Sequence, residues 1–148
     1  WGLVCSVTRL VHFGPLPDEL ARKQEALAAV DATFTATTRP NTKLGDIVSQ
    51  VQQTYAMGGF GDEWRLHHQG GPAGYEPREY LGTPGSKDEV RVGQAYAWNP
   101  SITGAKSEDT ILIGANGNEI LTEIPDWPLL PIEIGGQIVN RPAILEIV

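Results

Sequence analysis

Cysteine is almost absent from this chain. Cys5 is the one thiol among 148 residues, so neither a disulfide framework nor a Cys cluster for zinc or iron can be built, and a reducing, cytoplasmic compartment is expected. Basic residues are also in deficit, with 11 Lys plus Arg against 18 Asp plus Glu for a formal charge of −7. Proteins that track phosphate backbones or anionic bilayers need a surplus of Lys and Arg, which argues against non-specific nucleic-acid or membrane-surface binding. No apolar run approaches the roughly 18 residues of a membrane span. The opening Trp1-Gly2-Leu3-Val4-Cys5 has neither an initiator Met nor the basic flank of a signal peptide, and reads as a cut from something longer.

What remains suffices for one domain with its own core, since 41% of residues are hydrophobic and only 20% charged. The 17 Gly and 11 Pro crowd the second half, which predicts helices early and turn-linked strands late. Residues 2–13, rich in β-branched and large apolar types, read as a strand that Gly14-Pro15-Leu16-Pro17 ends. Leu20, Leu27, Val30 and Phe34 then recur at helical spacing, predicting a helix from Asp18 to Thr37. Arg39-Pro40-Asn41-Thr42 breaks it. A second helix, Lys43 to Met57, carries Leu44, Ile47, Val51 and Tyr55 on one stripe and closes at Gly58-Gly59.

From Phe60 onward glycines cut the chain into short strand-like runs: Val90–Val92, Gln94–Trp98, Thr110–Ile113 and Glu119–Thr122. Ala115-Asn116-Gly117-Asn118 is a hairpin turn. The tail from Pro125 reads as an irregular edge segment with one short hairpin at Gly135-Gly136. Helices leading into a curved antiparallel sheet make an α+β arrangement in a single domain: strand 1–13, helices 18–58, sheet 60–123, tail 124–148.

Three clusters can carry chemistry. In Glu63-Trp64-Arg65-Leu66-His67-His68-Gln69-Gly70-Gly71, two adjacent histidines on a strand point to opposite faces, so one of them can serve a cavity as metal ligand or general base. A hydrogen-bonded sheet histidine beside a glycine turn is the structural alternative. In Trp98-Asn99-Pro100 through Glu108-Asp109-Thr110, an acidic pair opens an apolar strand, so one carboxylate points inward if the strand is buried on one face; a solvated strand entry is the alternative. Ser6-Val7-Thr8-Arg9 sits inside the first apolar strand.

In this order the clusters resemble the pita-bread metallohydrolases: aminopeptidase P, prolidase, methionine aminopeptidase and creatinase. The matching stretches are Ser6-Val7-Thr8-Arg9 for the D-[IV]-T-R strand, His68-Gln69-Gly70-Gly71 for H-x-x-G, and Tyr75-Glu76-Pro77 for the [HY]-E-x-P stretch. Asn99-Pro100 stands for an E-P dipeptide, Glu108-Asp109 for the acidic strand opening, and Gly117-Asn118-Glu119-Ile120-Leu121-Thr122 for G-x-E-x-L-T. The match runs over residues 2–123 and implies a partial pita-bread fold, the carboxy-terminal portion of a larger catalytic domain.

The family site, as the resemblance implies it, holds two divalent metals on two Asp, one His and two Glu, which activate a bridging water. His68 matches the histidine ligand and Glu108 the final glutamate. Ser6 and Asn99 stand where carboxylates belong, and the first aspartate lies upstream of Trp1, so two of five ligands remain. Two adjacent dications would lose the anionic oxygens that offset their repulsion. Tyr75 replaces a histidine that contacts the substrate carbonyl, and its phenol can donate a hydrogen bond there. Creatinase, which breaks a C–N bond without metal, implies a role for His68 as acid and base, oriented by Glu108. Arg78 is expected to hold a ligand carboxylate, with a surface ion pair to Glu79 or Glu76 as the alternative.

The function expected is therefore a peptidase-like domain that binds or hydrolyses a small amino-acid- or peptide-like ligand without cofactor. One alternative is a metal-dependent aminopeptidase or dipeptidase in the longer protein, with one Mn, Co or Zn ion. Another is a non-catalytic interaction module using Trp64, Trp98 and Trp127, as a homodimer or with an amino-terminal partner segment.

Overall fold

The computed structural model describes residues 1–148. In chain order the elements are β1 (Val11–Phe13), α1 (Asp18–Thr37), α2 (Leu44–Met57), a 3-10 turn (Glu63–Arg65), β2 (Gly70–Ala73), β3 (Ala95–Trp98) and β4 (Ser101–Ile102). There follow β5 (Ala105–Lys106), β6 (Asp109–Ile113), β7 (Asn118–Ile120), β8 (Leu129–Ile134), β9 (Gln137–Pro142) and β10 (Leu145–Ile147). No helix is long and apolar enough to cross a membrane.

Both helices form where spacing and punctuation place them. Asp18 and Glu19 open α1 directly after Pro17, where carboxylates favour the free N–H groups of a first turn. Leu27, Val30 and Phe34 are buried, as is the whole α2 stripe of Leu44, Ile47, Val51 and Tyr55. The helices pack on an antiparallel sheet of order β2-β3-β6-β7. In that sheet Tyr96 lies opposite Ile111 and Trp98 opposite Asp109, so these residues share one face by the two-residue strand period. Trp98 joins the layers. Its ring stacks on Phe34 with centroids 4.3 Å apart, and its indole N–H donates to Thr38 Oγ1 at 2.9 Å.

Three expectations are corrected. Of residues 2–13 only Val11–Phe13 is a regular strand, and it runs parallel to β10. The residues before it cross from one neighbour to another, Val4 N–H donating to Gly74 O at 2.8 Å and Thr8 N–H to Glu108 O at 3.1 Å, and so never build a ladder. Val90–Val92 is not a strand either. Val90 exchanges two backbone bonds with Asn41 and Thr42 in the loop between the helices, while Arg91 turns back on Gln94. The tail is not irregular: β8 and β9 pair over six residues each across a turn at Gly135 and Gly136, both at positive φ, and β10 closes onto β1. The turn expected at Ala115–Asn118 forms one residue earlier as a four-residue loop, 114–117, with neither Asn116 nor Gly117 at positive φ, and brings Ile113 opposite Asn118.

Candidate functional site

The acidic pair at the start of β6 divides between the two faces of the sheet. Glu108 and Asp109 are consecutive on an extended backbone, so their side chains diverge, and both are buried. Burial of two carboxylates demands partners, and each has a different set.

Glu108 is held by cations. Its Oε1 accepts from Arg78 Nη2 at 2.7 Å, and its Oε2 accepts from Lys106 Nζ at 2.9 Å and Thr8 Oγ1 at 2.7 Å. The side chains of Arg78 and Glu108 are 9% and 8% exposed, so this ion pair is little screened by solvent. Arg78 Nη1 donates onward to Ser6 Oγ at 3.2 Å and to Pro77 O at 2.6 Å. Burial pushes the Glu108 carboxyl up, but the hydrogen bonds from Thr8, Lys106 and Arg78 together hold it below the usual carboxylate range. Ser6 and Thr8 lie two residues apart on the segment that meets Glu108 at an isolated bridge, and Lys106 and Glu108 are likewise two apart, which is how side chains of two distant segments converge.

Asp109 belongs to a second, interior network. Its Oδ1 accepts from Arg9 Nη2 at 2.7 Å and Thr122 Oγ1 at 2.6 Å, and its Oδ2 accepts from Arg141 Nη2 at 2.5 Å. The same Arg141 nitrogen lies 2.8 Å from Asp31 Oδ2 on α1, and that carboxylate also accepts from Ser107 Oγ. Arg141 is fully buried, 0% exposed, although it sits on the β9 strand of the tail hairpin.

The histidines are not on a strand. They lie in the loop after the 3-10 turn, which Gln69 pins by donating to Trp64 O at 3.1 Å and His67 O at 2.8 Å while its own oxygen accepts from the Tyr55 hydroxyl at 2.9 Å. That anchor compacts the loop, and the two rings stack with centroids 4.5 Å apart instead of diverging. His68 is exposed at the edge of a cavity of about 480 Å³ that Trp64, Leu81 and Pro84 also line. Desolvation pushes its imidazole below its ordinary value, as do electrostatic interactions with His67, Arg78 and Lys106, while Glu108 pulls the other way. His68 thus feels the Glu108 cluster without a hydrogen bond to it.

Of the sequence-expected site residues, the fold brings Ser6, Arg78 and Glu108 into one contact set. Tyr75 is 73% exposed, and only its backbone N–H is engaged, with Glu79 Oε1 at 2.9 Å. Asn99 is buried with its Oδ1 unpartnered, and it touches the histidine loop through its backbone N–H, which donates to Gln69 O at 3.0 Å. Arg78 faces Glu108 and Ser6, so both of its terminal nitrogens are engaged within the protein. Trp98 is core and 2% exposed, while Trp127 is half-buried with its indole N–H on Ala143 O at 2.8 Å. Lys106 and Thr8 were missed, although their two-residue offsets from Glu108 and Ser6 were a signal; Asp31 and Arg141 carried no sequence signal. No group of three His, Cys, Asp or Glu side chains is placed to hold a metal ion.

No family model matches the chain. An uncharacterized peptidase of Staphylococcus saprophyticus is 29% identical over 126 residues, covering 80% of this chain and 35% of that protein. The chain thus spans about a third of the length of the curated relatives it matches. Among solved structures, prolidase from Thermococcus sibiricus superposes with a TM-score of 0.70 at 20% identity over 79% of this chain and 33% of its own. X-Pro aminopeptidase from Thermotoga maritima gives 0.72 at 15% identity over 95% of this chain and 37% of its own.

Proposed function

We propose that this chain, which carries part of the pita-bread fold of the prolidases and Xaa-Pro aminopeptidases, is a peptidase-like domain with a degenerate metal site. It binds, or hydrolyses without metal, a small amino-acid- or peptide-like ligand. The observation that carries the reading is the cluster at Glu108, where Arg78 and Lys106 supply the positive charge a dication would bring. The donor set does not fit a metal pair. Ser6 and Asn99 offer no charge, and a dication about 4 Å from the Arg78 guanidinium would meet repulsion of about 8 kcal/mol at an effective dielectric of 20, twice that between unit charges.

In this reading the lowered pKa of His68 keeps its imidazole neutral near pH 7, free to accept a proton from water attacking a carbonyl and to return it to the departing nitrogen. Glu108, fixed by its three donors, offsets the imidazolium charge that forms between the two transfers. Tyr75 is free to donate to the carbonyl oxygen, and the buried Asn99 Oδ1 to accept from a ligand amine. Arg78 orients Glu108. The exposed, unpaired Cys5 suits a reducing, cytoplasmic setting.

Titration calorimetry with Mn, Co and Zn ions tests the metal-free part; heats too small to fit a site are expected, and tight binding of two equivalents overturns it. Xaa-Pro dipeptides should raise the melting temperature of the chain but not of His68→Ala. A second reading, a metal-dependent aminopeptidase or dipeptidase completed by segments of a longer protein, is favoured by the third of their length that the chain shares with its relatives. It requires metal-dependent release of amino-terminal residues by that longer protein, abolished by His68→Ala.

A further inference from the structure

On the face of the sheet that Asp109 occupies, the tail hairpin closes over a cavity of about 330 Å³ whose charged wall sets Arg9, Arg39 and Arg141 among the carboxylates of Asp109 and Glu123, beside Asn118. Several buried atoms of that wall have no hydrogen-bond partner: Arg9 Nε, Arg39 Nη1, both Nε and Nη1 of Arg141, and Asn118 Oδ1. Arg141 is fully buried and Arg39 forms no ion pair, so these donors are desolvated and unspent. Asn118 is oriented by donating its Nδ2 to Thr35 O at 3.0 Å and Thr38 O at 2.8 Å at the end of α1, which leaves its oxygen as an acceptor. The apolar part of the wall, Ile124, Trp127, Leu129 and Ile138, is partly open, with Ile138 63% exposed.

We propose that this cavity is a second ligand site, for a small amphipathic carboxylate of the α-amino- or α-hydroxy-acid class. Guanidinium forks match a carboxylate in geometry, and Arg39 brings the charge, because Arg9 and Arg141 are already paired with Asp109 and Asp31 while Arg39 has no carboxylate partner. The one unpartnered acceptor asks for an adjacent donor, which an α-ammonium or α-hydroxyl group provides. The open apolar wall asks for a side chain with carbon surface, and the volume lies within the range of small-molecule sites. Asp109 and Asp31 neutralise Arg141 through Nη2 alone, so the network that ties the hairpin down also presents the two remaining nitrogens. The site uses no side chain that contacts the Glu108 carboxylate and, their shared backbone aside, stands or falls apart from that cluster.

The probe is L-leucine, with leucinol and 4-methylpentanoate as analogues lacking the carboxylate and the α-donor, measured by titration calorimetry on the chain. Leucine should bind, and each analogue should bind at least about tenfold more weakly, the value of one charge-assisted hydrogen bond. Arg39→Ala, which breaks no ion pair, should weaken leucine about tenfold or more, and Ile138→Asp should weaken it while leaving the melting temperature unchanged. Absence of leucine binding, equal binding by Arg39→Ala, or loss in His68→Ala with retention in Arg39→Ala would overturn the proposal, as would a crystal soaked in leucine that shows only water between Arg39, Arg141 and Asn118.

Discussion

Replacing Arg141 by Met isolates the tie between the tail hairpin and the body of the domain. The substitution keeps length and apolar bulk but removes the guanidinium that bridges Asp31 on α1 and Asp109 on β6, both 2% exposed. Asp109 keeps Arg9 at 2.7 Å and Thr122 at 2.6 Å, so its loss is partial. Asp31 keeps only the Ser107 hydroxyl. Stripping one member from a buried pair costs about 3–5 kcal/mol, and the larger share falls on Asp31. A loss near 4 kcal/mol removes a large part of a stability of about 5–15 kcal/mol and lowers the melting temperature by about 10–15 °C. Burial already pushes the Asp31 carboxyl above its ordinary value of 3.8, against the pull of Arg141, and without Arg141 it rises further. A carboxyl whose folded pKa lies above the unfolded one favours folding below the unfolded value, and that contribution is lost as pH rises through the folded one. The deficit of Arg141→Met should therefore be largest at neutral pH and shrink on acidification. Adding Asp31→Asn should recover about half of it by removing the stranded charge. Urea unfolding across pH reads all three; a loss under about 1 kcal/mol, or a deficit that grows on acidification, refutes a dry interior network.

Gly70 sits at φ +105°, and a Cβ there would overlap the Ala97 carbonyl oxygen of β3, so Gly70→Ala should fail to give folded protein on expression and circular dichroism. Gly104, at φ +93° with no atom within 4 Å of where a Cβ would lie, is the control: Gly104→Ala should cost only about 1–2 kcal/mol of backbone strain. Trp98→Ala removes a stacked ring and the Thr38 bond and should cost about 3–5 kcal/mol in chemical denaturation, with a smaller loss for Trp98→Phe. By NMR, His68 should titrate below its ordinary 6.5, and Glu108→Gln should lower it further, because the Glu108 charge is the one that raises it; an upward move would place the ring away from the cluster.

The helices were legible because each carries its stripe and its stop signals locally: Leu44, Ile47, Val51 and Tyr55 end up buried as their spacing requires. The hairpins at Asn116-Gly117 and Gly135-Gly136 were legible for the same reason. The first strand was overread because β-branched composition reports a pleated environment but not how long one neighbour stays alongside. Of the candidate site, Glu108 and His68 could be named from the order of motifs, and the opposite facing of Glu108 and Asp109 follows from strand alternation. The partners could not. Nothing in the sequence joins Arg78 to Glu108 across 30 residues, or Ser107 to Asp31 across 76.

By itself the sequence determined the α+β class, the order of elements and the residue types available at the site, because periodicity and turn chemistry act over a few residues. Only the tertiary structure decided how the charges are spent. Three arginines brought from distant segments, Arg9, Arg78 and Arg141, settle which carboxylates are neutralised, since a buried charge is set by whichever counter-charge the fold delivers to it.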